Sequence, residues 1–206
     1  MKEPTLKISH TESHTDLLGP GDRYCLWVHG CCFDCEGCLA RNTRFGAYRN
    51  VSVSALASDI KESGCDGITI SGGEPFLQAE ALAELVKEVQ AGRYIGVIIY
   101  SGFTLEELKE RSDAPALLSV TDILIDGRYQ KDLDDGRAYI GSSNQRLHYL
   151  TDRYKEAGKR YYSAPKRRAE IKFYPDSVTL IGVPSANVLK IWREIKSKNG
   201  GVEDDF

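Results

Sequence analysis

Apolar residues recur along most of the chain in two rhythms. Short runs rich in β-branched residues predict strands: TLKISH at 5–10, RYCLWVHG at 23–30, DGITIS at 66–71, YIGVIIY at 94–100 and TDILID at 121–126. Between them, apolar positions three and four apart predict helices. Val53, Leu56, Ala57 and Ile60 share one face near 53–63, and Leu77, Ala81, Leu82, Leu85 and Val89 share another near 77–90. Thr104 and Glu107 make a capping box for a third helix over 105–111. YIGVIIY has no polar face, which predicts a strand buried on both sides. Strands alternating with helices give an α/β fold with a mostly parallel sheet. The last quarter differs. EIKFY at 170–174 and SVTLIG at 177–182, around a Pro-Asp turn, predict a hairpin. Ser185 caps a final helix over 186–198, with Val188, Leu189, Trp192 and Ile195 inward, and GGVEDDF at 200–206 reads as a mobile tail.

In parallel sheets, ligands collect beyond the carboxyl ends of the strands. Four unusual segments each follow a predicted strand: the cysteine loop after 30, GGEP at 72–75, YSG at 100–102 and DGR at 126–128. Their convergence on one sheet edge predicts a single active site.

Composition narrows the class. A chain of 206 residues can bury its core as one domain, here 1–206, and its content is that of an ordinary globular protein. No apolar run approaches the roughly 20 residues of a membrane span, and the N-terminus lacks a signal-peptide core, so the expected location is the cytoplasm and no membrane partner is expected. There, clustered cysteines are read as metal-binding or catalytic rather than as disulfides. A net charge of −3 makes no general case for nucleic-acid binding. The basic and tyrosine-rich stretch 153–168 is read as a solvated surface near a partner's docking site.

Four of six cysteines fall in HGCCFDCEGC at 29–38. Two spacings compete, Cys31-x3-Cys35-x2-Cys38 and Cys32-x2-Cys35-x2-Cys38, and each supplies three thiolates. A closed structural zinc site takes four ligands, for which Cys65 and the histidines at 10, 14 and 29 are the remaining donors. A [4Fe–4S] cluster normally takes four cysteines; three leave one iron open, which predicts a reactive cluster rather than an electron carrier. A zinc or iron–sulfur protein without catalysis is the bland alternative.

The spacing Cys31-x3-Cys35-x2-Cys38 followed by SGGEP at 71–75 resembles the radical S-adenosylmethionine (radical SAM) superfamily. Within it, GPGDRYCLWVHGC, CEGC, YSGFTLEEL and DILIDGRYQ…GSSNQR resemble the anaerobic ribonucleotide reductase activating proteins, and more loosely the pyruvate formate-lyase activating enzyme, over about residues 15–150. The resemblance implies a partial (β/α) barrel with a core at about 5–150 and a C-terminal extension at 151–206. It implies that Cys31, Cys35 and Cys38 hold a [4Fe–4S] cluster, with SAM on the open iron and Cys32 as a packing thiol. Gly72, Gly73, Glu74 and Pro75 would bind SAM, the glycines by close backbone approach and Glu74 through the SAM ammonium, with Ser101, Gly102 and Asp126 as further cofactor contacts. The radical is cofactor-borne, so no side chain is assigned as catalytic. It would abstract hydrogen from a glycine of a larger glycyl-radical enzyme, foremost anaerobic ribonucleotide reductase, with flavodoxin or ferredoxin as electron donor. The alternative within the superfamily is an enzyme modifying a small molecule or peptide, such as a 7-carboxy-7-deazaguanine synthase-like enzyme. His29 is expected as a hydrogen-bonded loop residue and Cys25 as a small hydrophobe. Beside its cofactor role, Asp126 has a simpler option, a salt bridge to Arg128 or Arg146.

Overall fold

The computed structural model describes residues 3–164, 167–175 and 177–198. The chain forms β1 (Thr5–Thr15), β2 (Arg23–Val28), α1 (Asn42–Phe45), β3 (Arg49–Ser52), α2 (Val53–Ser63), β4 (Gly67–Gly72), α3 (Ala79–Gln90) and β5 (Gly96–Ser101). Then come α4 (Leu105–Lys109), α5 (Ala114–Leu118), β6 (Ile123–Asp126), β7 (Arg146–Tyr149), α6 (Lys155–Tyr162), β8 (Ala169–Tyr174), β9 (Ser177–Gly182) and α7 (Ala186–Lys198).

Seven strands make one sheet in the order β3-β1-β2-β4-β5-β6-β7. The centre, β2-β4-β5-β6, is parallel, and antiparallel strands flank it on both margins. The parallel centre is the part that alternation announces. The short margins β3 and β7 carry too few apolar residues to announce themselves.

Both faces of the sheet are covered. Alternate residues of β5 show it: Val97 and Ile99 pack in the core with α2, α3 and α5, whereas Ile98 and Tyr100 pack with Tyr154, Ala157 and Tyr162 on the α6 side. Cys25 joins Leu17, Leu18 and Ile181 beneath the β8–β9 hairpin. Full burial of each such Leu or Ile side chain contributes about 1.5–3 kcal/mol.

The helices begin and end as the sequence directs. Ser52 caps α2 by accepting from the Ala55 N–H, and Gly64 closes it in the left-handed region. Thr104 and Glu107 form the capping box of α4. Leu77 departs from its expected place. Pro75–Gln78 is a 3₁₀ turn ahead of α3, which rotates Leu77 out of the apolar stripe and leaves it 46% exposed. Val188, Leu189, Trp192 and Ile195 of α7 are partly or fully buried, and Ser185 Oγ accepts from the Val188 N–H. The expectations for Asp176 of the hairpin turn and for the tail 200–206 lie outside the described residues.

The stretch 153–168 is a packing element in its described part. Tyr154 is buried, Tyr161 stacks on Tyr139 at 4.0 Å, and its hydroxyl donates to Asp16 O at 2.6 Å. These tyrosines fix α6 to the sheet and leave no row of exposed rings for nucleic-acid bases to stack on.

Arg23, fully buried, ties the amino ends of the central strands together. Its guanidinium donates to Thr69 Oγ1 at 3.0 Å, Tyr154 Oη at 2.8 Å, Gly96 O at 3.1 Å and Ile68 O.

Candidate functional site

A cavity of about 380 Å³ lies at the carboxyl edge of the parallel strands. The cysteine loop enters it between two fixed points. The Gly30 N–H donates to Thr43 O at 2.8 Å and closes the loop at its base, and the Glu74 N–H donates to Gly30 O at 2.8 Å. Within the loop, the Cys38 N–H donates to Cys35 O at 3.2 Å. Cys31, Cys35 and Cys38 line the cavity; Cys32, the more exposed neighbour, does not.

The two glycines of GGEP are required by the chain itself. A Cβ on Gly73 would stand 2.0 Å from Gly30 O, and one on Gly72, at φ +99°, would stand 2.7 Å from the Val28 backbone. Only glycine allows the end of β4 to lie against the base of the cysteine loop. The close approach expected toward a ligand is therefore already used to hold the loop.

Glu74 is almost fully buried. Oε1 accepts from the Phe76 N–H at 3.0 Å and the Ser101 hydroxyl at 2.9 Å, and Oε2 accepts from the Gly102 N–H at 2.8 Å. Burial pushes its carboxyl up to about 7 despite these donors. Gly72, Gly73, Glu74, Ser101 and Gly102 all line the cavity. Pro75 opens the 3₁₀ turn behind it and sets the backbone that aims Glu74.

Asp126 takes the simpler of its two expected options, the pair with Arg146. It is fully buried and does not line the cavity. Its carboxylate accepts from Arg146 Nε at 3.0 Å and from the Leu105 N–H at 2.6 Å, with His148 Nε2 at 3.0 Å. Asp126 anchors β6 to β7 and α4, and the residues that reach the cavity are its successors Gly127, Arg128 and Tyr129. Arg128 pairs with Glu107 at 3.0 Å and lies 4.5 Å over the Phe33 ring.

His29 meets Ser9 Oγ at 3.2 Å and stacks on Tyr48, as a loop histidine. Cys25 is buried, which raises its thiol to about 12 and leaves it a packing group. Burial likewise raises Cys31 to about 11 and holds Cys35 and Cys38 above their ordinary value. These thiols are protonated in the metal-free chain, so metal capture releases protons.

The donor set fits an iron–sulfur cluster. Three thiols on one loop suit soft, thiophilic metal centres, and no fourth cysteine lines the cavity. Among the described residues, the loop thiols are not gathered within 4.8 Å of one another. Ligand atoms around a single tetrahedral zinc lie roughly 3.3–3.8 Å apart, so the loop suits a larger inorganic unit better than one ion.

Reasoning from sequence missed one wall. Val178, Leu180, Val183, Leu189 and Trp192, from β9 to α7, line the same cavity as the cysteines. Their apolar period is visible in the sequence, but nothing local says which surface they cover.

A cysteine loop and a Gly-Gly-Glu turn meeting at the carboxyl edge of a parallel sheet define an iron–sulfur protein of the radical SAM class. Residues 17–148 match the family model described as "4Fe-4S single cluster domain". The chain belongs to that family. Over 142 residues it is 36% identical to the anaerobic ribonucleoside-triphosphate reductase-activating protein of Enterobacteria phage T4, covering 65% of this chain and 88% of that one. The protein of the same name from Vibrio cholerae is 32% identical over 143 residues, with 65% and 91% covered. A pyruvate formate-lyase-activating enzyme from Staphylococcus epidermidis is 36% identical over 92 residues, with 41% and 37% covered. Among solved structures, QueE from Escherichia coli aligns over 98% of this chain and 79% of its own, with a TM-score of 0.45 and 12% identity. The cofactors of this class are a [4Fe–4S] cluster and SAM. No helix among the described residues is long and apolar enough to cross a membrane.

Proposed function

We propose that this chain is an activating enzyme that installs a glycyl radical in a larger partner, an anaerobic ribonucleotide reductase. The observation that carries the reading is the cavity in which Cys31, Cys35 and Cys38 face Gly72–Glu74 and Ser101–Gly102. Relatives matched over 142 and 143 residues are named as reductase-activating proteins, which supports the choice of partner.

In this reading Cys31, Cys35 and Cys38 hold the cluster and Cys32 does not. When bound there, a [4Fe–4S] cluster with SAM would supply the one-electron reduction and the hydrogen abstraction from the substrate. The protein's own part is positioning and exclusion of water. Gly72 and Gly73 hold the loop against β4. Glu74, fixed from three sides, presents a carboxylate that an ammonium group would keep ionised. Ser101 and Gly102 shape the neighbouring rim. A flavodoxin or ferredoxin supplies the electron, and the cytoplasm is the expected location.

The experiment is anaerobic incubation of the chain with SAM, a reductant and the candidate reductase, followed by electron paramagnetic resonance. A glycyl radical on the reductase is the expected result. Turnover of SAM without that radical would overturn the choice of partner. It would favour the second reading, a radical SAM enzyme acting on a small molecule or short peptide. The apolar wall from residues 178–192 supports that reading, since it lies outside the matched stretch 17–148 and narrows the cavity.

A further inference from the structure

The opposite, amino edge of the same sheet carries a second cluster of metal-type donors. His14 ends the irregular part of β1, Asp22 immediately precedes β2, and Cys65 lies two residues before β4. Sequence reading grouped His14 and Cys65 with the cysteine loop as spare zinc donors. The structure instead places them together and away from it, since β4 alone separates the two edges by about 20 Å.

The geometry is convergent. His14 Nδ1 stands 2.8 Å from Asp22 Oδ2 and 3.8 Å from Cys65 Sγ, and all three donor atoms lie within 4.8 Å of one another. Among the described residues, this is the one set of three such donors so gathered. His14 is held at φ +60°, where the β1–β2 register slips between Glu12 and Thr15. Such irregularities re-aim a side chain, here toward Asp22 and Cys65.

Two other readings fit less well. A nucleophilic Cys-His-Asp relay needs the thiol on one ring nitrogen and the carboxylate on the other. Here both approach the same nitrogen, Nδ1. A plain hydrogen-bonded trio also falls short: Nδ1–H can donate to Asp22 or to Cys65, but not well to both. A single cation between the three atoms satisfies all of them. Donors around tetrahedral zinc lie roughly 3.3–3.8 Å apart; the His14–Cys65 separation of 3.8 Å lies in that range, and the His14–Asp22 pair at 2.8 Å would open by about 0.5 Å to admit the ion. The buried thiol selects against calcium and magnesium, and the mix of one thiolate, one imidazole and one carboxylate suits zinc.

We propose that His14, Asp22 and Cys65 bind a zinc-class divalent ion at the amino edge of the sheet. Three protein ligands leave a fourth position to solvent, on the side where His14 and Asp22 are exposed. The ion would clamp the end of β1 to the starts of β2 and β4. It is separate from the iron–sulfur site and holds whichever substrate that site takes.

The test uses Co²⁺ as a spectroscopic stand-in for zinc. The full chain with Cys31, Cys32, Cys35 and Cys38 each changed to Ala removes the competing thiols. It should bind about one Co²⁺, with a thiolate-to-cobalt charge-transfer band and tetrahedral visible bands. The further change Cys65→Ser should abolish the charge-transfer band. His14→Ala, at an exposed position that does not threaten folding, should weaken binding roughly tenfold or more. His10→Ala should change nothing. In parallel, cluster-loaded wild-type chain should retain zinc after dialysis, and the Cys65→Ser chain should not. Absence of the charge-transfer band before Cys65 is changed, or its survival afterwards, would overturn the proposal.

Discussion

The carboxylate of Glu74 accepts the backbone N–H of Gly102 across 2.8 Å, joining the turn after β4 to the turn after β5. Ser101 and Phe76 donate to the other oxygen, so one buried acid organises both rims of the cavity.

That acid makes stability depend on pH. Its carboxyl is raised by burial from 4.5 to about 7, so the folded chain holds the proton more tightly than the unfolded one. The folded state is therefore favoured most below pH 4.5. The advantage is lost as pH rises toward 7, by about 3 kcal/mol in total. Chemical denaturation of the metal-free chain at several pH values, compared with Glu74→Gln, reads this directly. The difference between the two proteins should change across pH 4.5–7 and be flat above it. A difference independent of pH would show that Glu74 titrates normally.

Gly73→Ala tests the contact between β4 and the cysteine loop. The added methyl would meet Gly30 O at 2.0 Å, and both partners are backbone. The expected cost is about 3 kcal/mol, at the upper end of overpacking effects. Because the strain falls at the base of the loop, iron incorporation should drop more than secondary structure. Iron analysis beside circular dichroism checks this, and normal iron content would contradict it.

Substitution of the cysteines should divide them by the cavity they face. Cys31→Ala, Cys35→Ala and Cys38→Ala should each lose the cluster, measured as iron and sulfide per chain. Cys32→Ala and Cys25→Ala should keep it. A full cluster in Cys31→Ala with none in Cys32→Ala would reverse the ligand register.

Much of this was legible in the sequence. The parallel centre of the sheet follows from buried β-branched runs alternating with amphipathic stripes, and the cavity follows from four odd segments placed after strands. Of the two options the sequence offers for Asp126, the pair with Arg146 forms, and the added contact with His148 was not legible because both partners become adjacent only once β6 pairs with β7. Leu77 fitted the apolar period, but Pro75 imposed a tighter turn. The wall from Val178 to Trp192 and the meeting of His14 with Cys65 depend on long-range docking, which no local pattern encodes.

Arg23 should be among the most sensitive positions outside the site. Arg23→Ala removes the donor that serves the Gly96 and Ile68 carbonyls and the Tyr154 hydroxyl in a fully buried space, while Thr69 keeps only its bond to Leu18 O at 2.9 Å. Lost hydrogen bonds and the residual cavity together predict about 3–5 kcal/mol of destabilisation. A denaturation midpoint close to wild type would contradict the assigned role of the guanidinium.

Arg167 should decide whether the cavity keeps its apolar wall. Its side chain is only 9% exposed and pairs with Asp134, while also donating to Arg137 O at 3.0 Å and Gly141 O at 3.1 Å. Arg168, next in the chain, pairs with Asp16 in a pair that is more than half exposed on both sides. Solvent screening makes an exposed pair worth about 0–1 kcal/mol, whereas Arg167 also satisfies two backbone carbonyls that its removal leaves without that donor. Arg167→Ala should therefore loosen the hairpin and Arg168→Ala should not. Amide hydrogen exchange reads the two apart: protection in β8 and β9 should fall in Arg167→Ala alone, with β4 and β5 unchanged in both. SAM affinity, measured by equilibrium dialysis on cluster-loaded protein, should fall together with that protection, because Leu180 and Trp192 line the cavity only while the hairpin is docked. Equal exchange in the two variants would mean that the hairpin is held by its buried Ile181 rather than by Arg167.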